Sequence, residues 1–195
     1  MNRAFVRLMI YVVRFAGAVA AVWGVAYAIN GATQAEGSIT VQVSPGPGVV
    51  DSLRLTGVEL PPGVGFRGAD LSLQVWKSTV IEQVVARADV LVSGLCAGVA
   101  ALLLGPLLAS VLDGEPFRRG NPARVAWLAV LVVVSGSAGA LPGLASAAVL
   151  GRVGLTGTFV VSPALSWVPF VGAAFLSALA VAIGVGRHAS PVPGR

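Results

Sequence analysis

One cysteine, Cys96, and one histidine, His188, stand in a chain of 195 residues. A lone cysteine permits no internal disulfide and no cysteine metal cluster. A lone histidine leaves no HExxH and no histidine–carboxylate–serine set within the apolar part of the chain. Charge is also scarce: 11% of residues are charged, against about 25% in an average soluble domain. The 8 acidic residues lie in loops or at the ends of apolar runs, so no carboxylate pair is available at membrane depth. No glycine-rich phosphate loop is present. These absences argue against an enzyme and against a resident cofactor or metal. Asp51, Glu59 and Asp70 are scattered along a polar stretch and read as solvated charge, with a weak surface metal site as the alternative. The 13 basic residues, net +5, would suggest nucleic acid in a soluble protein. Here the basic residues gather at the ends of apolar runs, so membrane lipid is the expected partner and direct nucleic-acid contact is not.

What the chain does have is apolar length. It is 56% hydrophobic, with a mean hydropathy of +0.87. A helix needs roughly 20 apolar residues to cross the hydrocarbon core. Leu8–Ala28, Val90–Leu112, Ala126–Leu150 and Leu165–Val185 meet that requirement. The expected class is an all-α membrane protein with four transmembrane helices and a small extracytoplasmic β-rich segment between helices 1 and 2. Only Arg14 is charged within a run. It lies near the start of the first helix, where its stem can snorkel to the headgroups; an intramembrane functional arginine is the other reading. The first run has a rival explanation too. Arg3 and Arg7, an apolar core and Ala26-Tyr27-Ala28 resemble a cleavable signal. The length of the run, the interruption at Arg14 and the interfacial Trp23 and Tyr27 favour an uncleaved helix.

Short loops rich in arginine favour the cytoplasm. With an inner amino terminus, Arg3, Arg7, Arg14, Arg118, Arg119, Arg124, Arg187 and Arg195 fall inside. Arg54, Arg67, Lys77, Arg87 and Arg152 fall outside, mostly in a long loop that translocates with less regard to charge. Both termini are expected to be cytoplasmic in a multi-pass protein of the cell membrane. The sections are then 1–28 (helix 1), 29–89 (outer loop and helix lead-in), 90–112 (helix 2), 113–125 (inner turn), 126–150 (helix 3), 151–164 (second outer loop), 165–185 (helix 4) and 186–195 (tail).

In the long loop, Ile39, Val41 and Val43 alternate with Thr40, Gln42 and Ser44, the period of a strand. Ser-Pro-Gly-Pro-Gly at 44–48 ends it. Leu53 and Leu55 suggest a second strand, and Leu71, Leu73 and Val75 a third. Such a sheet is too small to stand without support on its apolar face. It is either a structural cap or a sensory, ligand-binding element. Thr79 and Glu82 then have capping-box spacing, and one helix is expected from about Ser78 to Leu112, long enough to carry loop motion inward.

The inner turn is the sharpest local pattern. Gly114 suits a left-handed helix end, and Pro116 blocks continuation. Asn121 suits an amino-terminal cap and Pro122 a first helical position. Phe117 is placed to dip into the interface, Arg118 and Arg119 to meet anionic headgroups, and Asp113 and Glu115 to form local ion pairs. The turn is either a lipid-anchored hairpin or a docking surface for a cytoplasmic protein. Gly114, Pro116, Phe117 and Asn121 between two apolar runs resemble the G-x-P-F-x-x-x-N signature of the bacterial membrane proteins called domain of unknown function 2975. The order of parts is similar as well: one span, a long outer segment, then three closely spaced spans. That resemblance implies a role linked to transcriptional control, since such proteins are often encoded beside a small helix-turn-helix regulator. Members often continue into an acidic tail, whereas this chain ends in the basic GRHASPVPGR.

Small residues at four-residue spacing let membrane helices approach closely. Gly94 and Gly98 provide this in the second run, Gly139 and Gly143 in the third, and Gly17 with Ala21 more weakly in the first. Packing within one bundle and homo-oligomerisation both use such faces. Pro106 and Pro142 lie within runs and are expected to kink them. Cys96 reads as a small apolar packing residue. Three functional classes follow: a partner-dependent regulatory or sensory membrane component, an accessory subunit for transport or permeability, or a purely structural envelope protein.

Overall fold

The structure is a computed structural model, and it describes residues 3–33, 37–46, 71–115, 117–161 and 166–189. Nine elements follow in order: α1 (Arg3–Ala32), β1 (Ile39–Pro45), β2 (Leu71–Val75), α2 (Val80–Ala86), α3 (Ala88–Leu112), α4 (Asn121–Ala138), α5 (Leu141–Arg152), β3 (Phe159–Val160) and α6 (Val168–Ala189). Among the described residues, four helical stretches are long and apolar enough to cross a membrane: Arg3–Ala32, Ala88–Leu112, Asn121–Arg152 and Val168–Gly186. The chain divides into two compact units.

The helix unit comprises residues 1–27, 89–138 and 165–195. It holds most of α1 and α3 together with α4 and α6. Its sequences are apolar nearly all round, so each helix has more hydrophobic surface than its neighbours cover. Phe15 is 73% exposed and Phe175 79% exposed. Interior positions go mainly to small residues such as Ala101, Ala129, Ala138 and Ala173.

The sheet unit comprises residues 28–88 and 139–164. Its three strands lie in the order β2-β1-β3. β1 pairs antiparallel with β2 from Ile39↔Val75 to Val43↔Leu71. Its far end pairs with β3 through Ser44↔Val160 and Pro45↔Phe159. Period-two alternation turns Ile39, Val41 and Val43 to one face, where they pack with Val149 and Leu150 of α5. Val41 and Val149 are both 0% exposed. Full burial of such side chains stabilises by roughly 1.5–3 kcal/mol each, which supplies the backing that a small sheet requires.

Three expectations change. The sheet does not lie wholly between the first two membrane-length helices, because β3 comes from the segment after α5. The strand expected at Leu53–Leu55 falls outside the described residues, as do Arg54 and Arg67. The third apolar run, expected as one helix over Ala126–Leu150, is broken at Gly139 and Ala140 between α4 and α5. Pro142 sits in the first turn of α5, where it cannot donate to the Ala138 carbonyl. The preceding Ser135-Gly136-Ser137 and Gly139 lower the helix propensity of the same stretch. Pro106 lies within α3 without ending it, flanked by the strong helix formers Leu102, Leu103 and Leu104. The helix expected from Ser78 to Leu112 is also divided. α2 ends at Ala86, and Arg87 leaves helical geometry with φ −114° and ψ 7°. The Arg87 amide bonds the Val84 carbonyl at 3.1 Å, while its guanidinium donates to the Gln83 carbonyl at 3.2 Å. The side chain thus takes the acceptor that the amide would use in a continuous helix.

Candidate functional site

The turn between α3 and α4 is built from backbone geometry and one buried polar contact. Gly114 has φ +75°. The Gly114 amide bonds the Val111 carbonyl and the Glu115 amide bonds the Ser110 carbonyl, at 3.2 and 2.9 Å. This pair of bonds is a Schellman ending. The chain then folds back: Arg118 N–H bonds Glu115 O at 3.1 Å and Asn121 N–H bonds Arg118 O at 2.9 Å. Asn121 begins α4 and turns its side chain inward. Its amide nitrogen donates to Ser110 Oγ at 2.7 Å, and Ser110 Oγ donates to the Leu107 carbonyl at 2.7 Å. Arg124 donates to Asn121 Oδ1 at 3.0 Å. Asn121 and Ser110 are each 1% exposed. Losing one partner from a buried pair costs about 1–3 kcal/mol.

Phe117 leans on α6, where a methyl group added at Gly186 would stand 3.0 Å from the ring. Arg118 and Arg119 are exposed. Pro116 lies outside the described residues. Asp113 and Glu115 form no ion pair among the described residues; the ion pair found there is Glu82–Arg152.

Gly94 and Gly98 face α1. A methyl group at Gly94 would meet the Ala20 carbonyl oxygen at 2.5 Å, and one at Gly98 would meet Ala21 Cβ at 3.0 Å. Gly17 opposes Ala101 still more closely, and Gly24 approaches the Val90 carbonyl. Arg14 continues this seam, its guanidinium lying across Gly105, where an added methyl would stand 2.9 Å from Nε. Gly139 is in the break after α4, and Gly143 is in the first turn of α5. In the same part of the chain Gly136 permits close approach to Pro169 of α6.

A groove of about 480 Å³ opens between α3, α4 and α6, lined by residues including Cys96, Leu128, Val132 and Gly172. Its serines satisfy one another: Ser135 Oγ donates to Ser93 Oγ at 3.1 Å. That surface suits an apolar group and, among the described residues, carries no carboxylate, histidine or lysine.

In the sheet unit, Thr79 caps α2. The Glu82 amide donates to Thr79 Oγ1 at 3.2 Å and the Thr79 amide to Glu82 Oε2 at 2.8 Å. Arg152, at the end of α5, grips the same carboxylate with two donors, Nε to Oε1 at 2.9 Å and Nη2 to Oε2 at 3.0 Å. Desolvation pushes the Glu82 pKa upward, but the Arg152 and Thr79 hydrogen bonds and the Arg152 charge outweigh it and hold the carboxyl below its ordinary value. Gln83 is buried, donates to Ser78, and keeps Oε1 without a hydrogen-bond partner among the described residues. Among the described residues no group of three or more histidine, cysteine or acidic side chains could hold a metal ion. Ser110, Gln83 and the Arg152 grip were not marked by sequence reasoning. Ser110 is an ordinary polar residue in an apolar helix, and its Asn121 contact appears only once the turn is closed.

No family model matches the chain, and no curated protein or solved structure gives a significant match.

Proposed function

We propose that this chain is a multi-pass protein of the cell membrane with cytoplasmic termini, and that it acts through partners as a non-catalytic regulatory or sensory component. The unlike burial of the two units carries this reading. The helix unit leaves large side chains such as Phe15, Trp127 and Phe175 uncovered, which suits lipid as their solvent. The sheet unit closes an apolar core of its own, which suits a folded extracytoplasmic element. The inner turn supplies a rigid basic surface for a cytoplasmic protein, and its likeness to the G-x-P-F-x-x-x-N signature supports a link to a small transcriptional regulator. Two experiments test the proposal. Reporter fusions after Arg195 should be active only in the cytoplasm; activity only outside rejects the orientation. Deleting the chain should alter the output of a neighbouring regulator; unchanged transcription rejects the regulatory role.

The groove of about 480 Å³ favours a second reading, an accessory subunit for transport or permeability. That role requires flux in vesicles containing the chain and its partner, lost when Gly172→Leu fills the groove.

A further inference from the structure

The start of α1 is charged where a packed helix would be apolar. Arg3, Arg7, Ile10, Arg14 and Gly17 recur at helical spacing and share one stripe of α1. Arg14 and Gly17 of that stripe meet Gly105 and Ala101 of α3. Toward the start of α1 the stripe opens into a cavity of about 200 Å³, lined by Arg3, Arg7, Ile10, Ala109, Leu112 and Asp113. Neither Arg3 nor Arg7 has an ion-pair partner among the described residues, and the first turn of α1 has no acidic residue. The helix dipole adds positive potential there rather than relieving it. The cavity therefore combines two cations one turn apart with an apolar floor of Ile10, Ala109 and Leu112.

We infer that this cleft holds an anionic glycerophospholipid. Arg3 and Arg7 lie roughly 6 Å apart at Cβ, a spacing at which two guanidinium groups can converge on one phosphate. The apolar floor receives the first methylenes below the headgroup. A free phosphate would use the arginines and leave that floor uncovered, so charge and apolarity together favour a lipid. Asp113 stands on the wall as the one opposing charge. The inference rests on the membrane reading, but it assigns a defined lipid seat distinct from the exposed Arg118 and Arg119.

The test is native mass spectrometry of the full chain in detergent, titrated with short-chain phosphatidylglycerol or phosphatidylcholine. One phosphatidylglycerol is expected to be retained in preference to phosphatidylcholine. R3Q with R7Q should weaken retention about thirtyfold, and D113N should tighten it about fivefold. R118Q with R119Q should leave it unchanged. Equal retention by wild type and R3Q/R7Q, or equal loss in R118Q/R119Q, overturns the site. Displacement by millimolar inorganic phosphate alone overturns the lipid assignment in favour of a soluble anion. Flotation with vesicles separates the two readings. Wild type that fails to float rejects both. R3Q/R7Q protein that floats and keeps its lipid rejects the site alone.

Discussion

The two units bury their hydrophobic residues by opposite rules. In the sheet unit, valines of β1 and α5 face one another and exclude solvent completely. In the helix unit, alanine and glycine hold the interior while phenylalanine, tryptophan and leucine point outward. A soluble core gains stability by removing large apolar side chains from water. Between helices in lipid that gain is absent, and close backbone approach takes over. One chain thus carries two solutions to packing.

The sharpest way to break the comparison is to place a charge in the sheet core. Val149→Asp should cost more than about 4 kcal/mol and unfold the sheet core, seen as rapid proteolysis of that unit. If the sheet unit stays protease-resistant, its core is not what holds it. A gentler pair comes next. Val41→Ala should lower stability by about 2–3 kcal/mol in detergent unfolding, whereas Val171→Ala, at a site 64% exposed, should change it by less than about 0.5 kcal/mol. Equal losses would mean that α6 is covered by protein. Asn121→Ala should cost about 1–3 kcal/mol, with most of that loss absent when Ser110→Ala is already present; additive losses would refute the buried pair.

The smallest effect concerns Glu82. Its carboxyl is lowered in the folded protein from an ordinary value of 4.5. Its contribution is therefore fully present above that value and is lost as pH falls through the lower folded value. Arg152 is 40% exposed at its side chain, so solvent screening limits Glu82→Gln to roughly 1 kcal/mol at neutral pH. The difference between mutant and wild type should vanish in acid. A constant difference across pH would place the effect elsewhere.

Local signals in the sequence were legible where chemistry was local. The alternation at Ile39–Val43 and Leu71–Val75, the Thr79–Glu82 cap and the left-handed Gly114 each depend on residues a few positions apart. The breaks were harder to read. Hydropathy treats Ala126–Leu150 as one run, because glycine, serine and proline within it do not interrupt its apolarity. The end of α2 depends on where the Arg87 guanidinium goes, which no periodicity records. β3 has only two residues, too short for an alternation to register, and its pairing with β1 joins distant parts of the chain. At the inner turn, Gly114, Phe117 and Asn121 stood out as residue types, but the Ser110 partner needed three dimensions. The Arg3 and Arg7 cleft is hidden in the sequence for a related reason: Ala109, Leu112 and Asp113, which complete its lining, come from a distant part of the chain.

The contact between Asn121 and Ser110 spans only 11 positions in sequence. So short a separation makes ring closure cheap in entropy and favours rapid formation. The paired helices on either side of it therefore constitute the piece of this protein best able to assemble during synthesis, before the distant strands that must find β1 have all left the ribosome.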